Sequence, residues 1–525
     1  MPASRNEPWW KLLAVFCLWS LNVWLVQAQT YSGMLTWHND LARTGQNLLE
    51  TDLTPMNVSS TTFGKLFSFP VDGQIFGQPL YVYNVAIPGK GTYNVIYVAT
   101  ENDGVYAFDA DGANTSALWY DSFIDPSKGI TPIPCADTGA VPCPFASVIG
   151  ITGTPVIDPR SGTLYVVAAT KENDKYVNRL HALDLATGAE KFGGPVQIEA
   201  SVKGTGAGNK HGIVSFDAQH ESQRPGLLLL NGVVYIGWAS FGDVTPFHGW
   251  ILGYGAASLA QVAVFNSTPN GSDGGVWQSG GGLSADAAGN IYLITGNGTF
   301  DINKGGSDWG DTFLKLDASL AVLDYFTPYD QRKLSKNDID LGSGAGLLLP
   351  HQNGKFPDEI ISAGKEGLIY VVHRSNMGKF DAHKNHVIQT VRGSANGYWS
   401  SAAYWDNWVY FAGQGDFLSQ YTVSKGLLSK SAVFHAPTKF GTTPSISANG
   451  LSNAIVWAIQ PNAQVLPAVL HAYDATKVSQ ELYNSHQAGE RDLLGLGITF
   501  SVPTIMNGKV YVGTGGELDV LGLLP

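Results

Sequence analysis

A short apolar strand carrying a large aromatic residue recurs eight times along the chain, and this repeat constrains the fold more than any other feature. The aromatic positions are Tyr97, Tyr165, Tyr235, Tyr292, Tyr370, Tyr410, Trp457 and Tyr511. Several copies follow a strand led by Gly or Pro, such as Gly77-Gln78-Pro79-Leu80. Several precede a strand that ends in Asp, such as His181-Ala182-Leu183-Asp184. A further apolar strand tends to close the unit, as at Ala117-Leu118-Trp119-Tyr120. Each unit therefore reads as about four antiparallel strands, repeated about every 45–75 residues with loop insertions.

One such sheet leaves both faces uncovered, whereas eight packed around an axis cover one another. The last unit, from Val502, stops at Pro525 one strand short. Phe63-Gly64-Lys65-Leu66-Phe67-Ser68-Phe69, at the other end, offers the missing strand. The sequence thus predicts an all-β chain, one eight-bladed β-propeller of four-stranded antiparallel blades over 63–525, closed by an N-terminal strand; seven blades is the alternative count. Sixty-two glycines and only 14% charged residues suit many short strands and turns rather than long solvated helices.

Residues 1–28 read as a secretory signal peptide. Arg5 and Lys11 precede an apolar run from Leu12 to Val26, and Val26-Gln27-Ala28 offers small residues before a cut at Gln29. An uncleaved membrane anchor is the other reading, although the run is short and contains Ser20 and Asn22. Residues 29–62 form a lead-in. Its Trp37-His38-Asn39-Asp40-Leu41-Ala42-Arg43-Thr44-Gly45 stretch would line one face of the ring or seal a blade junction. The expected location is secreted or periplasmic, with no membrane span after cleavage. Cys135 and Cys143 lie close together in a turn-rich loop; in an oxidising compartment they pair, with two separate thiols as the alternative. A net charge of −12 argues against a nucleic-acid partner. No His-Glu-x-x-His, phosphate loop, nucleophile elbow or Cys-x-x-Cys-His occurs.

The Tyr-Val strands followed by Ala-Leu-Asp-Leu-Ala-Thr-Gly (182–188) resemble the repeats of the quinoprotein alcohol dehydrogenase-like superfamily. That resemblance implies pyrroloquinoline quinone (PQQ) held with Ca²⁺ or a lanthanide on the ring axis, oxidising an alcohol or sugar. It implies Asn297, in Thr295-Gly296-Asn297-Gly298, as a metal ligand, and Trp277 as the surface on which the quinone stacks. Asp338 would be the catalytic base and a metal ligand, with Asp340 as the second Asp found in lanthanide-type members. Lys365, before the strand at Leu368, would be the cation beside the quinone oxygens. Asp243 stands where the family has a metal-binding Glu. The family's two adjacent cysteines are not reproduced by Cys135 and Cys143.

The residue chemistry points the same way independently. Asp243, Asn297, Asp338 and Asp340 offer hard oxygen ligands, which suit Ca²⁺ or a lanthanide rather than zinc or copper. Each residue also has a plain structural reading: a turn at Asn297-Gly298, loop caps at Asp338 and Asp340, blade packing for Trp277, an exposed loop acid at Asp243. Without a haem-attachment motif, an enzyme of this kind needs a separate electron carrier. The alternative function is a non-catalytic extracellular or envelope propeller that binds a glycan, peptide or protein.

Overall fold

The computed structural model describes residues 31–525, other than 113, 142, 144–146, 430–433, 440 and 463–464. The expected signal peptide, 1–28, lies outside the described residues. Eight sheets follow one another around a ring, at 80–122, 130–197, 221–266, 284–326, 347–392, 403–439, 445–484 and 504–523. They are antiparallel and of four to six strands, with one added parallel strand in the seventh. In the eighth, Gly515–Leu523 pairs with Phe63–Gln74, with Phe63 opposite Leu523 and Gln74 opposite Gly515. Two strands more than 400 residues apart in sequence thus share a blade.

The recurring tyrosine has a specific task. It sits buried on its blade, and in five of the seven copies its hydroxyl reaches the next blade, whereas Tyr292 donates to Asp286 Oδ2 and Tyr370 to Glu366 Oε2 within their own blades. Tyr97 donates to Leu185 O at 2.8 Å, Tyr165 to Ala256 O at 2.9 Å and Tyr235 to Ala318 O at 2.7 Å. Tyr410 donates to Ala475 O at 2.6 Å, and Tyr511 to Ala110 O at 3.0 Å. Four of these acceptors directly follow the Asp that ends the third strand: Asp184, Asp317, Asp474 and Asp109. Each of these five rings fills the space between two sheets, and its hydroxyl donates to a backbone carbonyl of the neighbouring blade; Leu185 O and Ala475 O also accept from Trp119 Nε1 and Gln420 Nε2. The Tyr511 bond carries this stapling across the point of ring closure.

The lead-in neither lines one face nor seals a single junction. Residues 33–47 wind once around the axis and meet the blades in chain order. Gly33 and Met34 pair with Val82 and Tyr81 of the first blade. Leu35 O accepts from Ile157 N of the second, and Trp37 lies against Gly226 before the inner strand of the third. Leu41 O, Ala42 O, Thr44 O and Gly45 O accept from Ala285, Leu348, Tyr404 and Ile446 of the fourth to seventh, at 2.8–2.9 Å. Asn47 donates to Ile505 O of the eighth at 2.9 Å. Inner strands have one free hydrogen-bonding edge, and this segment pairs it. Arg43 anchors the winding. It is 1% exposed and donates to Leu283 O, Thr36 Oγ1 and Trp37 O, each at 2.8 Å.

Candidate functional site

Around the mouth of a funnel at the centre of the ring, strand ends from three successive blades deliver polar residues to one place. The third blade's Val233–Ser240 strand runs out into Gly242 and Asp243, where backbone with φ of 62° and 59° turns the carboxyl toward the axis. The fourth blade's Ile291–Ile294 strand ends just before Gly296-Asn297. A short helix, Gln331–Lys336, leads to Asp338 and Asp340, and Lys365 precedes the fifth blade's Leu368–His373 strand.

Asn297, Asp338, Asp340 and Lys365 form one bonded cluster. The Asn297 backbone N–H donates to Asp340 Oδ1 at 2.7 Å, and its Nδ2 donates to Asp338 Oδ1 at 3.0 Å. Lys365 Nζ bridges Asp338 Oδ1 at 2.7 Å and Asp340 Oδ2 at 2.6 Å. Asp340 is buried, whereas the Asp338 side chain is 68% exposed at the rim. Gly296 permits this approach: a Cβ there would lie 2.3 Å from Asp340 Oδ1 and 2.6 Å from Trp277 Cδ1. One atom of the cluster is left over. Asn297 Oδ1 is buried and makes no hydrogen bond.

Asp340 and Lys365 of the cluster line a cavity of about 170 Å³, together with Arg224, Asp243, Trp277 and Trp399. Trp277 packs edge-on against Phe247, with centroids 6.1 Å apart. Arg224 is the functional residue that the sequence reading passed over. Its guanidinium stands 5.5 Å from the Trp277 ring centroid and 4.7 Å from that of Phe500. A sequence signal existed, because Arg224 occupies the slot before Pro225 that holds Gln78 before Pro79 in the first blade and Thr154 before Pro155 in the second. Those slots face the axis.

Burial and charge set the protonation of this wall. Burial, then the neighbouring Asp340, pushes the Asp243 carboxyl up to about 6. Burial works against the Lys365 charge, but Asp340 and Asp338 outweigh it and hold the ammonium above its ordinary value. Burial lowers Arg224 to about 10, against the pull of Asp243 and Asp340. Asp311, fully buried behind Asp340, is pushed well above the carboxylate range by burial and by that neighbour. Among the described residues no three His, Cys, Asp or Glu side chains converge tightly enough to form a metal site by themselves. Asp243 faces the others across the cavity, and Lys365 sits between Asp338 and Asp340.

Cys135 and Cys143 are joined by a disulfide, with Cα atoms 6.0 Å apart. Cys135 packs with Phe241 and Ile498, and Ala140 of the same loop abuts Gly242, so the loop buttresses the Asp243 turn.

The arrangement can be compared with solved structures. A quinohemoprotein alcohol dehydrogenase from Comamonas testosteroni aligns over 94% of this chain and 80% of its own, with TM-score 0.59 and 15% identity. The enzyme ADHIIG from Pseudomonas putida HK5 aligns over the same shares, with TM-score 0.61 and 13% identity. This is the fold of the quinohemoprotein alcohol dehydrogenases. A europium-containing methanol dehydrogenase shares it over 94% of this chain and 98% of its own, with TM-score 0.60 and 14% identity. At such identities the likeness to these dehydrogenases is one of fold. No protein-family model matches the chain, and no curated protein matches it in sequence. Among the described residues no helix is long and apolar enough to cross a membrane.

Proposed function

We propose that the funnel is the site of a secreted or periplasmic oxidoreductase acting on a small alcohol or sugar with the help of a hard cation and PQQ. The observation that carries this reading is Asn297 Oδ1, a buried acceptor without a partner beside two carboxylates. A buried amide oxygen in that state is stabilised by a cation. Asp340, Asn297 and Asp338 would hold Ca²⁺ or a lanthanide, with Asp243 facing them. These residues fit such an ion.

The quinone, which would supply the two-electron redox chemistry, fits less readily. The cavity is about 170 Å³, below the roughly 300 Å³ of the smaller ligand pockets, and Arg224 stands over Trp277. Stacking on Trp277 therefore requires the Arg224 side chain to swing aside, where it becomes a partner for an anionic ring system. Asp338, exposed at the rim, is placed to take the hydroxyl proton of a substrate. Lys365 supplies fixed positive charge where negative charge develops. Electrons then leave to a separate carrier.

The test is reconstitution with PQQ and either Ca²⁺ or La³⁺, followed by absorbance, thermal unfolding and dye reduction with an alcohol and sugar panel. Quinone absorbance and turnover, both lost in Asp338→Ala, are expected. Neither absorbance nor a thermal shift with any pairing would remove the reading. A second reading is favoured by Arg224 over Trp277 and by Lys365 already satisfying both carboxylates: a non-catalytic propeller binding a glycan, peptide or protein. Arg224→Ala separates the two, since it removes the partner of the anionic ring system and weakens PQQ binding only if the funnel is a quinone site.

A further inference from the structure

Beside the funnel lies a second concavity, of about 490 Å³, between the Phe300 loop and the short helix Gln331–Lys336. Its charge runs against that of the chain. On a protein of net charge −12, the groove is lined by Lys304, Arg332 and Lys336 and by no carboxylate. All three cations are exposed, and none makes an ion pair among the described residues. The other basic residue of the helix, Lys333, is turned to Asp330 at 3.9 Å and does not line the groove.

Its apolar surface is aromatic. Phe300 and Phe380 form a tilted pair with centroids 5.1 Å apart, and Tyr329 stands 48% exposed beside them. Asn303 and Ser335 add neutral hydrogen-bonding groups. A ligand matched to this lining has carboxylates for the cations, apolar C–H faces for the rings, and hydroxyls for the amide and hydroxyl groups. Those are the attributes of an acidic sugar. A phosphate ester is matched less well, because the six-residue helix is too short to contribute an anion-binding terminus.

We infer that this groove binds an acidic saccharide, a chain of uronic-acid residues. The groove adjoins the polar cluster of Asn297 and Asp338. Its floor includes Gly298, whose carbonyl accepts from Gln331 Nε2 at 3.0 Å, and Gly298 directly follows Asn297. The helix that supplies Arg332 and Lys336 leads two residues later to Asp338. A saccharide lying in the groove therefore extends toward the funnel rim. The binding site stands independently of any chemistry in the funnel.

Calorimetric titration of the full chain with trigalacturonate, neutral cellotriose, inorganic phosphate and a short polyaspartate tests it. Saturable one-to-one binding of trigalacturonate is expected, weakening by roughly tenfold in the doubly substituted Arg332→Ala, Lys336→Ala chain. Raising salt from about 50 to about 300 mM should weaken it further. Phe380→Leu should weaken the saccharide by several-fold and leave phosphate unchanged. Absence of trigalacturonate binding overturns the inference. So does phosphate or polyaspartate binding as tightly as the saccharide, which would make this a general anion surface or a seat for an acidic protein. Cellotriose binding equally well overturns the acidic part of the assignment.

Discussion

Replacing Arg43 by Met tests whether the N-terminal winding holds the ring together. The substitution keeps most of the stem volume and removes every donor. Three acceptors lose their partner at once: Leu283 O, Trp37 O and Thr36 Oγ1. The Thr36 hydroxyl can rotate, but Leu283 and Trp37 are at most 2% exposed, so their carbonyls stay dry. Two buried orphans at about 1–3 kcal/mol each give about 2–6 kcal/mol. Removing a cation whose burial already lowers it to about 10 offsets part of this. The expected net loss is about 3 kcal/mol. Urea unfolding followed by tryptophan fluorescence measures it. Arg43→Lys should fall between parent and Met variant, because one ammonium cannot span the three acceptors. If Arg43→Met unfolds within about 0.5 kcal/mol of the parent, within the range of neutral surface changes, the winding is a passenger and the reasoning fails.

Further outcomes follow from other residues. Burial pushes the Glu101 carboxyl up to about 7, so the folded chain keeps a proton that the unfolded chain releases from about pH 4.5. This contribution to stability is therefore whole below that pH and falls by about 3 kcal/mol as pH rises to 7; Glu101→Gln should flatten the decline in denaturation curves taken from pH 5 to 8. Tyr511→Phe removes the staple to Ala110 O and should cost about 1–2 kcal/mol, with faster amide exchange in the Gly515–Leu523 strand. Lys365→Met leaves Asp340 and Asp338 without their bridge; it should lower apparent stability by about 3 kcal/mol in chelator and be stabilised more by Ca²⁺ than the parent is. A calcium response equal to the parent's would argue against a cation at that wall.

The propeller was legible because blade packing demands the same residues at every unit. A second strand buried on both faces must be apolar, and its large aromatic ring fills the space between sheets, so the pattern repeats. Ring closure was legible at Phe63 to Phe69 because a unit lacking one strand makes the search for it specific. The convergence of Asn297, Asp338, Asp340 and Lys365 was visible in their order, since successive strand ends on one side of a propeller face the same mouth. Arg224 was missed because its position depends on the axis-facing slot before Pro225, not on any local motif. The winding of residues 33–47 was missed for a related reason. Its bonds run through backbone carbonyls, and any side chain could accompany them. Only Arg43 and His38 betray the segment, and nothing in sequence tells a buried Arg from an exposed one.

The pairing of Phe63–Gln74 with Gly515–Leu523 has a consequence for how the molecule is made. A chain synthesised from its N-terminus produces the closing strand hundreds of residues before its partner. Throughout that interval the nascent chain carries an unmatched strand edge, open to mispairing with any neighbour. The strand contains Lys65, Pro70 and Asp72, residue types that discourage edge-to-edge association. The winding segment emerges earlier still and meets blades one to eight in their order of synthesis, so each new blade finds a waiting partner on a guide already in place. Biogenesis can then proceed as growth around a core followed by a single late closure, with the vulnerable period ending only when Gly515–Leu523 arrives.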